Sequence, residues 1–159
     1  MNGRFILAAA ALALLPCAAL ADPGHAGHDH PVETAYGRPG EPAKGGRVVQ
    51  VAMKETKTGM AFAPPRIEVA RGEQVQFVLR NQGELDHELV IGTVEENQKH
   101  GAAMTEHPDM AHADPNAKRL GPKTSGVLRW HFTQVGAFEY ACLIPGHREA
   151  GMVGTVVVK

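Results

Sequence analysis

The stretch that most constrains the fold is Tyr140-Ala-Cys-Leu-Ile-Pro-Gly-His-Arg-Glu-Ala-Gly-Met152, near the end of the sequence. It sets a thiol at Cys142, an imidazole at His147 and a thioether at Met152, each five residues from the last. Pro145, Gly146 and Gly151 punctuate the stretch as a loop. A thiolate, an imidazole and a weak axial thioether belong to the donor set of a mononuclear copper electron-transfer site, which also needs a second imidazole from elsewhere. A fold that uses this loop must therefore bring a distant histidine to it.

Strand periodicity supplies one. In Asp86-His-Glu-Leu-Val-Ile91, His87, Leu89 and Ile91 share one face and Glu88 and Val90 the other, which puts His87 on the apolar side at the start of a strand. Ala137–Cys142 is built the same way: Phe138, Tyr140 and Cys142 share a face, and Cys142 stands at the exit into the loop. Two inward-facing donors at strand ends can meet at one pole of a sandwich. His131 falls between Trp130 and Phe132, out of phase with the inward face, and reads as an exposed strand residue.

The rest of the chain from Arg47 agrees with an all-β architecture. Short β-type runs at 48–53, 66–70, 74–80, 125–133 and 154–158 are separated by turn residues, the pattern of a sandwich or barrel. Residues 54–59 read as a polar turn. The regularity breaks at 93–118, an insertion in which Thr93-Val-Glu-Glu96 forms a helix-starting capping box and Pro108 limits a helix over 94–106. On such a helix His100 and Met104 lie one turn apart, His107 follows, and Met110 and His112 lie in the loop beyond. Two readings stay open: accessory copper donors, or packing and loop residues of the insertion.

Residues 1–21 read as a cleaved export signal, with Arg4, an apolar run from Phe5 to Leu15, and Ala19-Leu20-Ala21 before Asp22. The run is too short for an ordinary transmembrane helix, and Pro16 argues against lipid attachment at Cys17. Export to the periplasm removes Cys17 and leaves Cys142 as a lone thiol in an oxidising compartment, which metal ligation would explain. Residues 22–46, rich in proline and glycine and poor in large apolar side chains, read as a flexible tail. The tail carries His25, His28 and His30, a weak accessory copper site in composition. The 16 basic residues nearly balance 17 acidic ones, so neither nucleic acid nor an anionic membrane is an expected partner.

With these residues in view, the stretch 47–159 resembles the cupredoxins, the small blue-copper proteins. The resemblance rests on D-H-E-L-V-I, on F-E-Y-A-C-L-I-P-G-H-R-E-A-G-M and on the closing G-T-V-V-V. It implies a Greek-key β-sandwich holding one type 1 copper, with His87, Cys142 and His147 as strong ligands and Met152 as the axial one. The two-copper centre of oxidase subunits is not implied, because the loop has no second cysteine. The His-rich tail and Met/His-rich insertion make the layout resemble the periplasmic copper-resistance cupredoxins of the CopI type.

The expected function is copper tolerance, by binding, buffering or redox handling of excess copper, cuprous oxidation included. The alternative is a soluble one-electron carrier with a redox partner protein. A plain carrier has no use for spare histidine and methionine donors, which favours the first. A copper enzyme with a second site between domains has no second domain here. The expected state is a monomer, free of the membrane once the signal is removed.

Overall fold

The computed structural model describes residues 33–107 and 114–159. The elements are β1 (Arg38–Pro39), β2 (Arg47–Thr56), β3 (Gly59–Ala63), β4 (Arg66–Val69), β5 (Gln74–Asn81), β6 (His87–Gly92), α1 (Val94–Glu106), β7 (Ala117–Leu120), β8 (Ser125–His131), β9 (Gly136–Ala141) and β10 (Val153–Val158). The strands form two five-stranded sheets, ordered β1-β8-β5-β2-β3 and β4-β10-β9-β6-β7. Two pairings are parallel, β2 with β5 and β4 with β10, and the remaining strand pairings are antiparallel.

Alternation decides which side chains meet between the sheets. The first sheet contributes Val51, Met53, Val75, Phe77, Leu79 and Trp130, and the second Leu89, Ile91, Phe138, Tyr140, Val156 and Val158. Large rings meet edge-on within this layer: Phe77 against Phe132 at 6.2 Å and Phe62 against Tyr140 at 5.1 Å. The result is a dry β-sandwich with His87 and Cys142 at the ends of neighbouring strands.

The second sheet is covered on its other face as well. Thr93 caps α1 as expected: its hydroxyl accepts from Glu96 N at 3.1 Å, and its own N–H reaches the Glu96 carboxylate at 2.9 Å. The helix packs on β6 and β9. On that face Val90 and Ala141 join Leu143 in a small second apolar cluster. Every residue of β6 is buried for this reason.

Three strands escape the sequence reading. β2 runs on to Thr56, through half of the expected turn region, and pairs back with β3, Met53 opposite Phe62. β7 buries only Leu120 and pairs with β6, so its sequence carries no apolar alternation. β1 lies inside the segment expected to be a flexible tail.

That expectation is corrected for residues 33–46. Arg38–Pro39 pairs with β8, and Tyr36, 5% exposed, stacks on Trp130 with ring centroids 5.4 Å apart. The contact is locked by hydrogen bonds: Trp130 Nε1 donates to Tyr36 O at 3.2 Å, and Asn116 Nδ2 donates to Tyr36 Oη at 3.0 Å. One aromatic ring on a core tryptophan outweighs a composition that otherwise favours disorder. Tyr36→Ala is expected to cost about 3 kcal/mol of unfolding free energy, by analogy with buried ring deletions. Urea denaturation of the copper-free protein measures it, and a loss below about 1 kcal/mol would mean the segment is not docked in solution.

Candidate metal centre

His87 is the first residue of β6 and Cys142 is the residue after β9; both are fully buried. Cys142 N–H donates to Met152 O at 3.1 Å, one step beyond the Ala141–Val153 pair, so the β9–β10 ladder closes the base of the loop. Inside the loop Met152 N–H donates to His147 O at 3.1 Å and His147 N–H to Ile144 O at 3.0 Å. Gly146 and Gly151 take left-handed backbone at φ 86° and 95°, which glycine adopts without strain.

This folding brings the donors together. Candidate ligand atoms of His87, Cys142 and His147 all lie within 4.8 Å of one another. His147 Nδ1 is 3.3 Å from both His87 Nδ1 and Cys142 Sγ. Met152, whose backbone closes the loop, is fully buried. Two imidazole nitrogens and a cysteine sulfur converge at close range in a buried space, a donor set suited to a soft cation. The donor set fits copper.

The surroundings tune these groups. Burial, the main cause, pushes the Cys142 thiol up to about 12, against which the N–H groups of Glu88 and Ile144 pull it down. Glu88 N–H points at the sulfur from 3.4 Å. The His147 imidazole is held below its ordinary value, chiefly by burial and then by repulsion from His87. A cation would supply the positive charge that this pocket lacks when the thiol ionises.

Several supporting residues were invisible to sequence reasoning. Glu88 Oε1 accepts from Leu143 N at 3.0 Å and so grips the start of the loop. Arg148, within the loop, makes a two-pronged contact with Glu139 on β9, at 3.2 and 2.9 Å. Asn97 of α1, 1% exposed, donates to the same carboxylate at 3.1 Å. Glu55 on β2 reaches His87 Nε2 at 3.1 Å. The signal available in advance was weak: charged residues inside apolar strands, at Glu88 and Glu139.

The accessory candidates are placed differently. His100 and Met104 share α1, but Met104 is buried at 3% exposure while His100 is half-buried, and His107 is the exposed C-cap. Met104 thus takes the packing role. Among the described residues, His87, Cys142 and His147 are the one group of three or more His, Cys, Asp or Glu able to hold a metal. His25, His28, His30, Met110 and His112 lie outside the described residues.

Residues 49–159 match the family model for copper binding proteins of the plastocyanin/azurin family. The chain belongs to this family. It is 49% identical over 154 residues to the copper-resistant cuproprotein CopI of Rubrivivax gelatinosus, covering 92% of each chain. It is 34% identical to the copper-resistant cuproprotein CopI of Pseudomonas aeruginosa, covering 79% of this chain and 83% of that one. In fold it is similar to auracyanin B, with TM-score 0.64 at 22% identity over 79% of this chain and 99% of that one. Family and donor cluster together establish copper as the ion bound.

A copper ion held by Cys142 would displace its thiol proton, because burial pushes the thiol up to about 12 and keeps it neutral at ordinary pH. Apparent affinity should rise about tenfold per pH unit where one proton is exchanged, between roughly pH 7 and 9. Loading in weak buffer should release close to one proton per copper. Uptake without proton release would mean that Cys142 is not a ligand.

Proposed function

We propose that this chain is a periplasmic copper-tolerance protein built around a mononuclear type 1 copper centre. His87, Cys142 and His147 are its strong ligands and Met152 its axial thioether. The observation that carries the reading is the convergence of two imidazoles and one thiol at a pole of the sandwich, His87 and Cys142 from strand ends held by backbone pairing and His147 from the loop between β9 and β10. The similarity to copper-resistant cuproproteins at 49% identity across 92% of the chain supports tolerance as the role. Copper bound there supplies a one-electron couple.

The chain's own residues do the rest. The closed loop presents Cys142 and His147 with little freedom to move, so the donor geometry differs little between oxidation states. The apolar core keeps water from the sulfur, and Glu88 N–H stabilises it as thiolate. His147, 9% exposed, brings a ring edge close to the surface, the natural path for an electron. Residues 1–21 act as the export signal. His25, His28, His30, His100, His107, Met110 and His112 provide weak accessory copper binding.

The purified mature protein should show the intense absorption of a cupric-thiolate bond, and Cys142→Ser should lose it entirely. A deletion strain should grow poorly on copper, recover with the wild-type gene in the periplasm, and fail to recover with Cys142→Ser. Full copper tolerance in the deletion strain, together with a slowed respiratory or photosynthetic electron pathway, would instead identify a soluble electron carrier.

A further inference from the structure

Glu55 stands outside the donor set yet touches it. Its Oε1 lies 3.1 Å from His87 Nε2, the ring nitrogen not turned toward His147. An ionised carboxylate only accepts, so Nε2 carries the proton and Nδ1 keeps its lone pair on the side of Cys142 and His147. That is the tautomer a ligand needs.

The carboxylate is itself fixed. Leu85 N–H donates to Oε1 at 3.0 Å, and Glu84 N–H reaches both oxygens, at 3.2 and 3.1 Å. These amides belong to the turn leading into β6, so one side chain from β2 ties that turn to the histidine it delivers. Gly83 completes the seat. A Cβ there would sit 2.3 Å from Glu55 Oε2 and 2.6 Å from Oε1. Gly83 is not among the residues with positive φ. Its lack of a side chain therefore answers the carboxylate and not a backbone strain.

We infer that Glu55 is a positioning residue of the metal centre: it sets the tautomer and ring plane of His87 and favours the cupric over the cuprous state. The inference rests on the copper reading above. Outer partners of metal-bound histidines orient the ring and raise its basicity. A fixed negative charge one imidazole away also opposes the fall in positive charge on reduction. Because the Glu55 side chain is 31% exposed, solvent screens part of that effect.

The test uses the full-length mature protein loaded with copper. Glu55→Gln keeps an acceptor for Nε2–H and removes the charge. It should retain the cysteine-to-copper absorption while shifting the equilibrium toward the cuprous form about tenfold, which is about 59 mV for one electron. Gly83→Ala keeps the charge but pushes it aside, and should shift the potential in the same direction by less. In the cuprous wild-type protein, nitrogen-15 NMR should find the His87 proton on Nε2 and slow to exchange, and Gly83→Ala should speed that exchange.

A midpoint potential unchanged in Glu55→Gln overturns the inference. So does a His87 proton in wild type that exchanges freely. Should Glu55→Gln fail to fold, the wild-type proton and the Gly83→Ala potential decide. A wild-type protein without the charge-transfer band would instead bring down the copper centre itself, an outcome distinct from a normal band with an inert Glu55.

Discussion

The centre depends on one hydrogen-bonded junction, the pairing of β9 with β10 and its extension by Cys142 N–H to Met152 O. Opening the loop at that point means unzipping a central ladder of the second sheet, so the distance from Cys142 to Met152 is set by sheet geometry. His87 arrives on β6, which pairs with β9 on its other side through Val90 and Ala141. Three adjacent strands thus deliver the sulfur and one imidazole and fix the end of the loop that carries the other. A metal site formed this way is organised before the ion arrives, and the ordering entropy is borne by the sandwich.

Burying such a cluster raises an electrostatic difficulty, because the imidazoles, the thiol and the carboxylates of Glu88 and Glu139 are withdrawn from water, and that of Glu55 in part. Each is answered locally. Glu139 receives Arg148 and Asn97, Glu88 receives Leu143 N–H, and Glu55 receives two turn amides and His87. No buried side-chain nitrogen or oxygen among the described residues lacks a partner. These carboxylates also define position: Arg148 is held to β9 while lying next to His147, so the loop is anchored at its middle as well as its base.

How much of this could be read in advance follows from the range of each interaction. Period-two alternation is local, and it located the faces of β5, β6, β8 and β9 and the strand-end positions of His87 and Cys142. The capping box is local too, and α1 begins and ends where Thr93 and Pro108 indicated. Tyr36 was missed because its partner, Trp130, is 94 residues away and no apolar alternation surrounds it. Glu55 was missed for a similar reason. It sits in a polar strand end that reads as a turn, 32 residues before the histidine it meets. Long-range polar contacts leave no periodic trace.

The insertion shows the same division between what a pattern implies and what packing selects. A helix bearing His100 and Met104 one turn apart could aim both at solvent or split them between solvent and sheet. β6 and β9 present Val90 and Ala141 on the face that α1 covers, and an exposed apolar face of a sheet must be covered. Asn97 is drawn inward to Glu139 and Met104 is buried, while His107 remains exposed at the helix end. The thioether thereby loses access to an external ion, since burial against the sheet and capture of copper at the surface compete for the same atom. Imidazoles remain on the described part of the insertion, and they suit cupric ions without selecting cuprous ones as thioethers do. Among the described residues the soft sulfur of a free cysteine lies at the pole of the sandwich, at Cys142, and not on the insertion.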